Sequence, residues 1–275
     1  MSIISANSSI GSAVPTYLVD SKNEQSLAAE WAKANGQVQS DITHFQSKAS
    51  TLTSVDALMN DYQSLKVILT AYNVPGLLSY PGLVRQLLTQ DPTSSSSVAE
   101  KIGNPAYLNF AKAMNQLQGN PLGTSSNVSA IVSSYKTNSF EVAQNTQVPG
   151  MQNALAFKRL ASQITTIPEL MANPAVLTVA VAQTGLNYTI YGLMSYNQQV
   201  ALLTKSVKLS DLQNPKTVNT MAEQYLLQAA QDPTDWNTSS TTTTVASLFG
   251  GSSSTSELSL FGGGSNEDPV LSMFA

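Results

Sequence analysis

The sequence predicts an all-α protein built from two copies of one helical unit. The first observation behind this prediction is an internal repeat at a spacing of 112 residues, which aligns residues 45–74 with residues 157–186 without a gap. The second is that apolar residues recur every three or four positions along both copies, as they do on one face of an amphipathic helix. The third is that no segment alternates apolar and polar residues over the length of a half-buried strand.

The positions that agree between the two copies have the residue types of a packed core. The aligned pairs include Phe45 with Phe157, Ala49 with Ala161, Leu52 with Ile164, Leu58 with Leu170, and Val67 with Val179. The polar residues between these positions have diverged, and no reactive constellation occurs in both copies. The two copies therefore share a pattern of packing and not a chemistry.

The helices of the first copy follow from apolar stripes and from residues that start or stop a helix. The first stripe stops near Gly36 and consists of Leu27, Ala28, Trp31 and Ala34. The second consists of Val38, Ile42, Phe45 and Ala49. Ser54 is expected to cap a short third helix. Residues 65–72 are rich enough in Val, Ile and Thr for a strand, but the helical period on both sides favours a helix.

The second copy begins with a helix over residues 128–144. Thr166 starts a capping box, and residues 177–182 repeat the most apolar helix of the first copy. Four Asx-Pro pairs predict helix starts, because the Asx side chain accepts hydrogen bonds from the first turn and proline has no N–H to leave unpaired. These pairs begin at Asn104, Asn173, Asn214 and Asp232.

The chain divides into five segments by composition. We expect a flexible leader over residues 1–20, a first helical unit over 21–118, a linker over 119–127 and a second unit over 128–236. Residues 237–275 are mostly Ser, Thr and Gly, with three acids and no basic residue. Such a low-complexity tail buries too little apolar surface to offset chain entropy, so we expect it to be disordered on its own.

Charge is unusually scarce. Asp, Glu, Lys and Arg make up 11% of the residues, whereas about 25% is ordinary. The net charge is −4, and only Arg85 and Arg159 are arginines, which argues against a nucleic-acid partner. The absence of cysteine excludes disulfides and thiolate metal sites.

The sequence carries no signal for Sec export and no segment suited to membrane insertion. The longest apolar stretch, residues 176–182, is far below the roughly 20 residues of a membrane helix. The start of the chain lacks the basic and apolar regions of a secretory signal. Its uncharged run of Ser, Asn and Ile fits the unfolded export signal of a type III substrate, and a merely frayed N-terminus is the alternative.

No residue pattern predicts an enzyme, a cofactor site or a metal site. His44 is the single histidine, and no Gly-x-Ser-x-Gly elbow accompanies it. The acidic residues are scattered, so they form no obvious metal-ligand cluster. Residues 262–264 are glycines without a preceding strand or a following lysine, and therefore do not form a phosphate loop.

Two residues are predicted to form a structural ion pair. Glu141 and Arg159 lie on neighbouring helices among apolar residues. In a chain with so little charge they are expected to clasp these helices, with the guanidinium offering a bidentate donor.

The tail contains a second, weaker repeat of apolar pairs. The pairs are Leu248-Phe249, Leu260-Phe261 and Met273-Phe274. Their spacing in a polar segment suggests short motifs that dock into grooves of a partner and gain from multivalency. The alternative is that they are chance residues in a low-complexity sequence.

Three further motifs carry a resemblance to a known family. They are Ser54-Val-Asp-Ala-Leu-Met59 with residues 65–74, Phe140-Glu-Val-Ala143, and Met151-Gln-Asn-Ala-Leu155 with Arg159. Over about residues 20–232 the chain resembles an alphaproteobacterial all-helical family of unknown function that is often encoded among flagellar genes. The family usually has an acidic, arginine-rich surface, which Ser, Thr, Asn and Gln largely replace here. The resemblance implies a flagellum-associated role without enzymatic activity.

These observations together lead to one expected function and one rival. We expect a non-enzymatic structural or accessory protein of the bacterial flagellum, exported by the type III route and packed against axial subunits. Its partners would be flagellar axial or export components, and its location would be the flagellum or the extracellular space. The rival is a cytoplasmic assembly factor or export chaperone that binds a client protein. The oligomeric state is left open.

Overall fold

The structure is a computed structural model that describes the backbone of residues 4–236 and the side chains of residues 12–236. Within these residues the chain forms fifteen α-helices and five short 3₁₀ turns, and it contains no strand. The all-α prediction is confirmed.

The helices of the first copy begin with the longest one of the structure. They are α1 (Ile4–Ala34), α2 (Gly36–Lys48), α3 (Val55–Asn60), α4 (Tyr62–Ala71), α5 (Pro81–Thr89), α6 (Val98–Ile102) and α7 (Pro105–Met114). The second copy contains α8 (Ser125–Gln147), α9 (Met151–Leu160), α10 (Ile167–Ala172), α11 (Pro174–Ala182), α12 (Tyr188–Gly192), α13 (Tyr196–Ser206), α14 (Pro215–Gln231) and α15 (Pro233–Trp236).

The repeat seen in the sequence is also present in the order and position of the elements. A 3₁₀ turn at Ala49–Thr51 follows α2, and its counterpart at Ala161–Gln163 follows α9 at the same spacing of 112 residues. Helices α3 and α10 are separated by the same interval. Phe45 and Phe157, the leading pair of the alignment, are both fully buried. The two copies therefore share local structure as well as apolar pattern.

The predicted helix caps are confirmed. Asn104, Asn173 and Asn214 cap α7, α11 and α14, and each side-chain oxygen accepts a hydrogen bond from an amide of the first turn. Ser54 caps α3 in the same way, and Thr166 forms the capping box of α10. Because these starts depend on residues within one turn, they could be read from the sequence.

Two apolar cores fill the protein, but they do not divide the chain at the predicted linker. The first core contains buried residues between positions 32 and 135. The second contains residues between positions 13 and 28 together with residues between 140 and 236. Packing thus assigns the start of the chain to the second copy, which differs from the predicted units 21–118 and 128–236.

Helices α1 and α8 contribute to both cores. Along α1, Tyr17 is buried in the second core and Ala32 in the first. Along α8, Tyr135 is buried in the first core and Phe140 in the second. Trp31 lies where the cores meet and packs against both, with its ring 6.2 Å from that of Phe140 in an edge-to-face contact. The first helix of each copy therefore joins the two halves.

Part of the segment expected to be a flexible leader, residues 1–20, is helical and packed against the second core. Residues 12–20 belong to α1, where Ala13 and Tyr17 are fully buried. The Tyr17 hydroxyl donates a hydrogen bond to Asn219 Oδ1 at 3.0 Å. Tyr17 and Asn219 are 202 residues apart in the chain, so no local pattern near the N-terminus indicates this contact.

Candidate functional site

The predicted ion pair lies where α8 packs against α9. Arg159 Nη2 donates to Glu141 Oε1 at 2.5 Å, and the Glu141 side chain is fully buried. Phe140 and Phe157, which are neighbours of the pair in the sequence, belong to the second core. A carboxylate in such surroundings is stable only when it is paired, so the guanidinium supplies the counter-charge that permits burial.

Asn138 extends this pair to the first copy. Its Oδ1 accepts a second hydrogen bond from Arg159 Nη2 at 2.8 Å. Its Nδ2 donates to the carbonyl oxygens of Thr70 and Ala71 at 2.6 and 3.1 Å. These carbonyls lie in the last turn of α4, where no amide of the same helix follows at i+4; the Thr70 carbonyl also accepts from the Asn73 amide at 2.9 Å. The chain of contacts from Glu141 through Arg159 and Asn138 is a clasp between the two copies, and we name these three residues the inter-copy clasp.

Glu24 on α1 adds an unpredicted acid to the clasp. Burial, the adjacent negative charge of Glu141 and a hydrogen bond with that carboxyl raise the pKa of Glu24 to about 8, against the opposing charges of Arg159 and Lys158. Lys158 also donates a hydrogen bond to the Ser21 carbonyl of α1. The acid therefore holds its proton across much of the neutral pH range, and the charges of α9 face α1 as well as α8.

A second buried carboxylate supports the first core. Asp41 accepts hydrogen bonds from Lys66 Nζ at 2.7 Å and from the Tyr135 hydroxyl at 2.6 Å. Gln37 and Gln63 each donate to its other oxygen at 2.9 Å. Burial opposes ionisation here, but these four donors hold the pKa of the Asp41 carboxyl below its usual value. These hydrogen bonds join α2, α4 and α8, and both oxygens of the Asp41 carboxylate take part in them.

His44 is engaged in the same structural way. Its Nε2 lies 2.9 Å from Asp61 Oδ1, and that carboxylate also caps α4 by accepting from the Ser64 amide at 3.0 Å. No serine or other nucleophile is bonded to the ring among the contacts of the described residues, so the pair lacks the third member of a catalytic triad. In residues 4–236, no group of three or more His, Asp or Glu side chains is arranged to hold a metal ion.

A cleft of about 590 Å³ lies between the copies, next to the clasp. Its polar wall includes Asn73, Asn109, Ser134, Gln163 and Asn173, and its charged residues are Glu100, Arg159 and Glu169. Arg159 is held by the clasp, and Glu169 is occupied by the amides of Thr165 and Thr166 at the start of α10. The cleft thus presents amide and hydroxyl groups and no pair of free acid and base.

One surface region of the second copy is apolar. Ile190, Leu193 and Tyr196 are 49%, 84% and 61% exposed, and they lie within seven residues around the turn from α12 to α13. We name these three residues the α12 patch. Exposed apolar residues so close together are typical of an interaction surface.

The tail pairs Leu248-Phe249, Leu260-Phe261 and Met273-Phe274 lie outside the described residues, so their role in binding stays a prediction.

The last described residues are bound to the second copy by hydrogen bonds. The Asp235 carboxylate accepts from the amides of Tyr188 and Thr189 at 2.8 and 3.0 Å, and therefore caps α12. Sequence reasoning missed this cap because acid and helix are more than forty residues apart.

Removal of the clasp arginine tests its structural role. Arg159→Ala is expected to lower the free energy of unfolding by about 3–5 kcal/mol, because it leaves a buried carboxylate without its counter-charge. The control is Arg85→Ala, since Arg85 pairs with Asp56 at 2.7 Å on the surface, where a pair contributes about 0–1 kcal/mol. Urea unfolding measured by circular dichroism compares them, and equal losses would contradict the clasp.

The raised pKa of Glu24 predicts that the stability of the fold depends on pH. The folded state binds this proton more tightly than the unfolded chain, whose carboxyl has its ordinary pKa of 4.5, so stability falls as pH rises from 4.5 to about 8. Glu24→Gln retains the neutral form and is expected to flatten this decline.

Urea midpoints at pH 5, 6.5 and 8 (each to about 0.1 unit) measure this slope. Glu30→Gln, which removes an exposed carboxylate from the same helix, is the control for charge alone. If Glu24→Gln kept the full decline of the parent protein, the assignment of the buried proton to Glu24 would be wrong.

Comparison with known proteins gives a family and a fold. The crystal structure of protein AGR_C_984 from Agrobacterium tumefaciens is similar, with a TM-score of 0.70 over 81% of this chain and 95% of that chain. The sequence identity is 21%, so this likeness shows a shared fold alone. None of the curated proteins matches the sequence.

No helix in the described part of the chain is long and apolar enough to cross a membrane. Residues 78–218, from the turn before α5 to the start of α14, match the family described as "Protein of unknown function (DUF1217)". Because this match covers just over half of the sequence, the chain belongs to the DUF1217 family.

Proposed function

We propose that this chain is a non-enzymatic structural or accessory protein of the bacterial flagellum, exported by the type III route and packed against axial subunits. The proposal that the protein is not an enzyme is supported by the contacts of its buried acidic groups. Asp41, Glu141 and Asp235 each bind side chains or amides of the scaffold. Groups held in this way are not free to transfer protons to a substrate.

The flagellar part rests on composition and on the resemblance of the motifs around Ser54, Phe140 and Met151. A surface that is rich in Ser, Thr, Asn and Gln and poor in charge suits close packing of subunits, because a charge that becomes buried in an interface must be paired. The α12 patch offers an apolar contact within such a surface.

One observation favours the rival function, a cytoplasmic assembly factor or export chaperone. Helix α1 starts at Ile4 and buries Ala13 and Tyr17 in the second core. A type III export signal is unfolded when it is read, so export would require the start of α1 to detach from the body.

Location in the native cell distinguishes the two functions. We expect the chain in purified flagella or in the culture supernatant, and we expect it to disappear from both when the export ATPase is deleted. Immunoblots of cell, supernatant and flagellar fractions measure this, with a cytoplasmic protein as the control for lysis. Retention in the cytoplasm of cells that assemble normal flagella would overturn export and support the rival.

A further inference from the structure

The α12 patch lies beside the point where the undescribed tail leaves the body. Asp235 is bonded to the amides that open α12, and Trp236 packs edge-to-face on Tyr188 with ring centroids 6.4 Å apart. The Trp236 carbonyl also accepts a hydrogen bond from Tyr225 at 3.2 Å. Leu193 follows Thr189 by four residues, or about 6 Å along a helix axis. The tail therefore starts next to the patch.

The first apolar pair of the tail is within reach of this patch. Eleven residues, 237–247, connect Trp236 to Leu248. This connection is mostly Thr and Ser and contains no glycine. A chain of that length reaches at most roughly 36–40 Å when extended, against about 6 Å of helix axis between Thr189 and Leu193. A connection this short gives an effective concentration in the millimolar range, so even a weak apolar contact would be substantially occupied.

The start of the tail and the region around the α12 patch are both uncharged. Residues 237–256 of the tail and residues 187–200 around the patch contain no charged residue. Their association therefore requires no desolvation of a charge, and it removes apolar side chains of both from water. The later pairs follow acidic residues and longer connections, which lower their effective concentration at the patch.

We propose that Leu248-Phe249 docks onto the α12 patch of the same chain. The tail then folds back on the second copy and covers Ile190, Leu193 and Tyr196. Self-docking goes beyond the proposed flagellar role, since it requires no partner. A partner that binds either the patch or the first tail pair would have to displace the contact.

Disulfide trapping in the full-length chain tests this proposal, because the protein has no cysteine of its own. Asn197→Cys places a thiol on an exposed residue beside the patch, and Gly250→Cys places one beside Phe249. Under mild oxidation we expect an intrachain disulfide, detected by non-reducing electrophoresis and mass spectrometry.

The matched controls keep both cysteines and the same connection. Phe249→Ser or Leu193→Ser in this background should slow the intrachain reaction about fivefold or more, because only random encounters remain. Both positions are exposed or outside the described body, and unchanged helical circular dichroism confirms that the fold is retained.

Equal rates with and without Phe249 would overturn self-docking. Cross-links that form only between chains would also overturn it and would assign the patch to a second copy. Because no flagellar partner takes part, either outcome leaves the proposed function to be decided by the location of the protein.

Discussion

The sharing of α1 and α8 between two cores is the constraint on which the rest of the structure depends. Each helix buries apolar residues in both cores: along α1, Tyr17 lies in the second core and Ala32 in the first. Neither core is complete without a helix whose other end belongs to its neighbour. The duplicated units therefore form one body, and the cleft, the clasp and the anchored end at Trp236 keep fixed positions relative to one another.

In this charge-poor chain, the buried ionic groups Asp41 and Glu141 hold helices together. Burying a carboxylate costs free energy that only good partners offset. Asp41 has four donors on α2, α4 and α8, and Glu141 has Arg159 on α9. Glu141 and Arg159 hold α8 to α9, and Asn138 links them to the end of α4. The polar wall of the cleft follows from the same composition.

Local features of the fold could be predicted from the sequence, whereas features made by distant residues could not. The repeat, the helix class and the caps at Asn104 and Thr166 depend on spacing within a few turns. The partners of Asp41 come from three helices, one of them ninety-four residues away, and Gln37 and Gln63 have the sequence signature of a solvated face. The burial of Tyr17 was missed for the same reason. Glu141 and Arg159 could be paired in advance because so few charges were available to match.

A core mutation in one copy, observed by a probe in the other, measures the coupling between the cores most directly. In a Trp31→Phe background, Trp236 is the one remaining tryptophan and belongs to the second core, whereas Phe45 is buried in the first. Phe45→Ala in this background should lower stability by about 3–5 kcal/mol. Urea unfolding monitored by Trp236 fluorescence should shift as far as the circular dichroism transition does. An unchanged Trp236 midpoint would show that the cores unfold independently and would contradict their sharing of α1 and α8.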